Sequence, residues 1–78
     1  MEEDIEPTEA EIKEEPSLQL FSYKHLSRPD LHAVVRSYTA QAKHRVANVP
    51  RNAQRTIALN KLRGSKDHAC TALLWRQL

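Results

Sequence analysis

The stretch VPRNAQRTIALNKLRGSKDHACTALLW, residues 49–75, decides the fold. Pro50 cannot continue a helix, Asn52 is of a type that caps one, and the positions beyond it repeat at helical spacing. Ile57, Ala58, Leu59, Leu62, Ala69, Ala72, Leu73 and Leu74 supply the apolar rhythm. A helix is therefore expected over residues 52–75. Ala58, Leu62, Ser65, Ala69 and Ala72 form a seam of mostly small side chains, which lets a neighbouring helix approach closely. Gly64, the only glycine, either kinks this helix or marks a contact too tight for a side chain.

Working back along the chain, a second helix is expected over residues 27–47. Ser27 is placed to cap it, Pro29 fits the first turn, and Asp30 puts a carboxylate at the positive end of the dipole. Leu31, Val34, Val35, Tyr38, Ala42 and Val46 form one apolar stripe, while Arg36, Lys43 and, less well aligned, Thr39 share another face. Asn48 tolerates the left-handed conformation that ends helices. Ahead of this helix, Leu18 and Leu20 alternate, and Phe21 and Tyr23 continue at the opposite parity. Residues 17–26 are accordingly expected as an extended arm. Its aromatics cap a small core or, beside Lys24 and His25, form a platform on which bases stack.

The expected class is all-α: an antiparallel two-helix hairpin, residues 17–78, carrying an N-terminal arm. Two helices enclose no interior, and about sixty residues seldom bury enough surface to be stable alone. Cys70 is the sole cysteine, so no disulfide can form within the chain. Assembly into a homo-oligomer is the expected remedy. A lone cysteine without a leading apolar stretch points to a reducing, cytoplasmic setting. No run of eighteen apolar residues suggests a membrane span.

The net charge of +2 conceals an asymmetry. Residues 1–16 hold eight acids against Lys13, a net of −7, whereas the rest holds eleven Lys and Arg against Asp30 and Asp67, a net of +9. The basic body should seek anions. The acidic segment either folds back over it or stays a disordered, solubilising tail, and its low hydrophobicity favours the tail.

The body offers no catalytic set. Its acids are sparse, no glycine-rich phosphate loop occurs, and His25, His32, His44, His68 and Cys70 lack metal-ligand spacing. Neither an enzyme nor a metal or cofactor protein is expected. Nucleic acid is a weaker candidate partner, because Arg51, Arg55 and Lys61 read equally well as a solvated basic face. A small phosphorylated ligand held between subunits by Arg36 and Lys43, with the aromatic arm, is the other class.

Phe21-Ser22-Tyr23, the helix bearing Val34-Val35-Arg36, then Pro50-Arg51-Asn52-Ala53-Gln54 and Ile57-Ala58-Leu59-Asn60-Lys61-Leu62 follow one another in this order. Together they resemble the phage helical-hairpin proteins that act as sponges for cyclic nucleotide signals. That family includes the anti-CBASS sponges and the hairpin core of a Thoeris anti-defence protein. Arg63-Gly64-Ser65, His68 and Cys70 depart from its pattern, and the acidic segment lies outside it. The resemblance implies a homohexamer that holds cyclic dinucleotides, cyclic trinucleotides or cyclic ADP-ribose isomers without cleaving them, in the host cytoplasm. It implies that Tyr23 stacks on a base and that Arg36, seconded by Lys43, holds phosphate. Phe21 and Lys24 complete the expected ligand-binding set.

Overall fold

The computed structural model describes residues 3–75, and these are all-helical with no strand. The elements are α1 (Glu9–Glu14), a 3-10 helix (Pro16–Phe21), α2 (Pro29–Asn48) and α3 (Ala53–Trp75).

The acidic segment departs from the expected tail. Thr8 accepts the Glu11 N–H at 3.2 Å, and Glu11 returns the bond to the Thr8 N–H at 3.0 Å. This capping box starts α1 and satisfies two orphan donors, with Glu9 and Glu11 favourably placed in the first turn. Ile12 packs against the core, so the segment is fastened by apolar contact as well as by charge.

The expected extended arm is instead the 3-10 helix. Pro16 occupies its first turn, and the Leu18 N–H bonds back to the Glu15 carbonyl at 3.0 Å. Side chains three apart eclipse in a 3-10 helix, which places Leu18 and Phe21 together on the buried side. Two residues of opposite parity in a strand thus become neighbours.

α2 begins at Pro29, and its N-cap is Arg28, which makes no side-chain cap bond; Ser27 does not cap it. Asp30 takes over, accepting the Leu31 N–H at 2.8 Å and gripping the Arg28 guanidinium at 2.6 and 3.0 Å. Val35, Thr39 and Ala42 are the buried residues of α2. Thr39, expected beside Arg36 and Lys43, lies fully inside. Its hydroxyl donates to the Phe21 carbonyl and reaches the Val35 carbonyl at 3.0 Å, which makes burial affordable for a polar group. Asn48 is not left-handed: no non-glycine residue among those described has positive φ, and the chain leaves α2 through an extended Val49.

The Asn52 side chain accepts the Arg55 N–H at 3.0 Å and caps α3. Leu59 and Leu62 face inward. A Cβ built on Gly64 would meet nothing within 4 Å, and the helix assignment of α3 continues through it, so no tight contact within the chain explains the glycine. Of the small seam, Leu62 is buried and Ser65 shares a hydrogen bond with the Tyr38 hydroxyl at 2.7 Å, while Ala58 and Ala72 are exposed.

Leu18, Phe21, Ala42, Leu59 and Leu62 form the core, with Ile12, Leu20, Tyr38 and Val46 packed around them. The 3-10 helix contributes Leu18 and Phe21 to a core shared with α2 and α3. Each fully buried large side chain there stabilises by roughly 1.5–3 kcal/mol. Arg55, expected on a solvated face, is buried instead. Its guanidinium donates to the Val46 and Val49 carbonyls at 3.3 and 3.2 Å and pairs with Glu15 at 2.8 Å.

Candidate anion-binding face

α2 and the corner after the 3-10 helix present their cations to one strip of chain, residues 3–11. Lys24 pairs with Asp4 at 2.6 Å. Arg36 donates to the Glu3 carbonyl at 2.5 Å. Lys43 donates to the Ile5 carbonyl at 3.3 Å and lies 3.2 Å from the Glu11 carboxylate. Arg36 and Lys43 share a face because seven residues make nearly two helical turns. Lys24 joins them only through the turn that brings the chain into α2.

The two aromatics stand behind this face. Phe21 is wholly within the core. Tyr23 is 1% exposed. Its ring meets His32 edge-on at a centroid distance of 5.0 Å, and its hydroxyl accepts the Ile5 N–H at 3.0 Å. Neither ring presents an open surface on which a base could stack while the strip is docked.

Nothing in the sequence marks Glu6, yet its carboxylate is bonded to three donors of the corner after the 3-10 helix. Its carboxylate accepts the Ser22 hydroxyl, the Tyr23 N–H at 3.0 Å and the Lys24 N–H at 3.1 Å. Burial pushes the Glu6 carboxyl up, yet these three donors together outweigh it and hold the group below its ordinary value. Pro7, next in the chain, is buried. The Asp4 carboxyl is lowered by its bond to Lys24, and that of Glu11 chiefly by the Thr8 N–H. Burial raises Glu15, but Ser17 and Arg55 more than reverse it.

The sequence carried two signs of this docking. Thr8-Glu9-Ala10-Glu11 is a capping-box pattern, and the −7 and +9 segments are complementary. Ser22, Asp4 and Glu6 have no comparable signature, because their roles come from the meeting of distant stretches.

A second, mainly apolar cleft of about 360 Å³ lies between the 3-10 helix, the start of α2 and the latter half of α3. Leu20, Leu26, Val35, Lys66 and Cys70 are among its lining residues. Lys66 donates to the Leu20 carbonyl and stands 5.6 Å from the centre of the Phe21 ring, so its charge is already engaged. Among the described residues no three His, Cys, Asp or Glu side chains gather as a metal-holding group. No helix among them is long and apolar enough to cross a membrane.

No protein-family model matches the chain, and neither a curated protein nor a solved structure matches it at a significant level.

Proposed function

We propose that the chain is a non-enzymatic binding protein that sequesters a cyclic oligonucleotide messenger and so blocks host anti-phage signalling. The ligand class is a cyclic dinucleotide, a cyclic trinucleotide or a cyclic ADP-ribose isomer, the setting is the host cytoplasm, and the working form is a homohexamer. The class of ligand follows from the resemblance to the phage sponges. The observation that carries the reading is the convergence of Lys24, Arg36 and Lys43 on oxygen atoms of one strip. Three cations, two from one face of α2 and one from the corner before it, aimed at one place, suit a multiply charged guest. Charge-assisted hydrogen bonds of this kind are each worth roughly 1.5–3 kcal/mol.

The antiparallel hairpin of that family is supported by contacts that join Tyr38 to Ser65 and Val46 to Arg55. As residue numbers fall along α2 they rise along α3. Assembly is supported by apolar surface that one copy leaves uncovered: Ile57 is 46% exposed, Leu74 53% and Trp75 65%. Because residues 3–11 engage the three cations and the Tyr23 hydroxyl, a nucleotide entering here would displace that strip.

A basic helical hairpin that binds a protein partner or nucleic acid is the second reading. It is favoured by the nature of the occupant, an acidic peptide held through both its backbone and its carboxylates.

The test is calorimetric titration of the full chain with a panel of cyclic nucleotides, followed by denaturation to recover the ligand. Tight binding and return of unmodified nucleotide are expected. Arg36→Ala and Lys43→Ala should each weaken capture about tenfold or more, the loss of one charge-assisted bond. Binding of duplex DNA that fades with salt, with no uptake of cyclic nucleotides, would select the second reading.

A further inference from the structure

The corner Ser22-Tyr23-Lys24 is an anion receptor in its own right. Two consecutive backbone N–H groups, at Tyr23 and Lys24, point at one place with the Ser22 hydroxyl beside them. The 3-10 helix makes this possible by ending at Phe21. The Ser22 N–H still bonds back to Gln19, and the next two amides are left over. Successive free amides of this kind form a concavity for anions. What fills it is a carboxylate sixteen residues away in sequence, that of Glu6.

We infer that this corner is a phosphate-binding nest for the anionic ligand, and that Glu6 occupies it as an internal substitute. The inference rests on the reading that the face takes a phosphorylated guest, and it names the atoms that receive one phosphate. A phosphate group offers more acceptor oxygens and more charge than a carboxylate. It would keep the same three donors and gain attraction from nearby cations. The groups around Glu6 are Lys24 and His25 on the corner itself and Asp4 on the strip, whose carboxylate accepts the Glu6 N–H at 3.0 Å. Asp4 repels an incoming anion but leaves with the strip.

The internal occupant sets a threshold. Because the strip is tethered through α1, whose Ile12 stays packed on the core, Glu6 competes at a high effective concentration. A weakly bound anion is turned away, whereas a ligand that also engages Arg36 and Lys43 displaces the whole strip.

The test is a titration of the full-length, 15N-labelled chain and its Glu6→Gln and Glu6→Ala variants with pyrophosphate and, separately, with a cyclic dinucleotide. Amide shifts give both the affinity and its location. Pyrophosphate should bind Glu6→Ala at least tenfold more tightly than the parent, with the largest shifts at Tyr23 and Lys24, and Glu6→Gln should fall between. Adding Ser22→Ala to Glu6→Ala should remove most of that gain. If neither Glu6 variant binds pyrophosphate more tightly, or the shifts fall away from residues 22–24, the nest is wrong. Should a variant lose its fold, a pH titration of the parent chain serves instead, since the Tyr23 and Lys24 amides must report Glu6 protonation. Independence of those two amides from that protonation also overturns the nest. Pyrophosphate at the corner without any cyclic dinucleotide binding upholds the nest and discards the messenger. Cyclic dinucleotide binding equal in all variants, lost in Arg36→Ala, upholds the messenger and discards the nest.

Discussion

Arg55 and Glu15 meet at 2.8 Å with side chains only 8% and 15% exposed, so α3 is tied to the residue just ahead of the 3-10 helix. Two carbonyls at the end of α2 hold the same guanidinium, which makes Arg55 a junction between three elements. Removing one partner of such a pair leaves the other charge out of water without compensation.

Arg55→Ala should therefore destabilise the chain by roughly 3 kcal/mol. Glu15→Gln, which keeps an acceptor for the guanidinium, should cost less. Urea unfolding followed by circular dichroism measures both. A midpoint for Arg55→Ala equal to that of the parent would reduce the pair to surface decoration.

Gly64→Ala should stabilise, by about 0.5–1 kcal/mol, because alanine restricts the unfolded chain and its Cβ meets open space. A higher melting temperature at unchanged oligomeric state is the expected result. A loss of stability accompanied by a smaller assembly would show another copy seated against this glycine.

Thr39→Val keeps the shape of the side chain and removes the donor that serves the Phe21 carbonyl. That carbonyl lies where water has little access, so the substitution should cost about 1–3 kcal/mol. Thermal unfolding tests it, and a neutral result would mean the carbonyl finds another partner.

Acid should free the strip before it unfolds the body. Asp4, Glu6 and Glu11 all have carboxyls lowered from ordinary values of 3.8 for the aspartate and 4.5 for the glutamates. Their contribution to docking is fully present above those ordinary values and is lost as pH falls through the lowered ones. Hydrogen exchange at the Ile5, Tyr23 and Lys24 amides should stay slow at pH 6 and, after correction for intrinsic rates, lose protection below about pH 4. Protection that survives full protonation would assign the docking to Pro7 and Ile12 alone.

Tyr23→Phe retains the buried ring and deletes the hydroxyl that accepts the Ile5 N–H. Exchange at Ile5 should quicken several-fold while global stability falls by about 1 kcal/mol, the worth of one neutral hydrogen bond. Unaltered exchange at Ile5 would show that Glu6 alone fastens the strip.

The amino-acid sequence by itself determined the helical class, the two long helices and the cap at Asn52. Periodicity, proline and capping chemistry act over a few residues and need no distant partner to be read. It also supplied the charge imbalance, but charge attraction has no direction and assigns no partner. Only the tertiary structure decided that Thr39 and Arg55 lie inside, since a polar side chain enters a core wherever acceptors from other elements satisfy it. Only the tertiary structure decided, likewise, that Glu6 closes the corner at Ser22-Tyr23-Lys24. Three donors converge there because a 3-10 helix stops where it does, and the strip reaches them because α1 turns it back across α2.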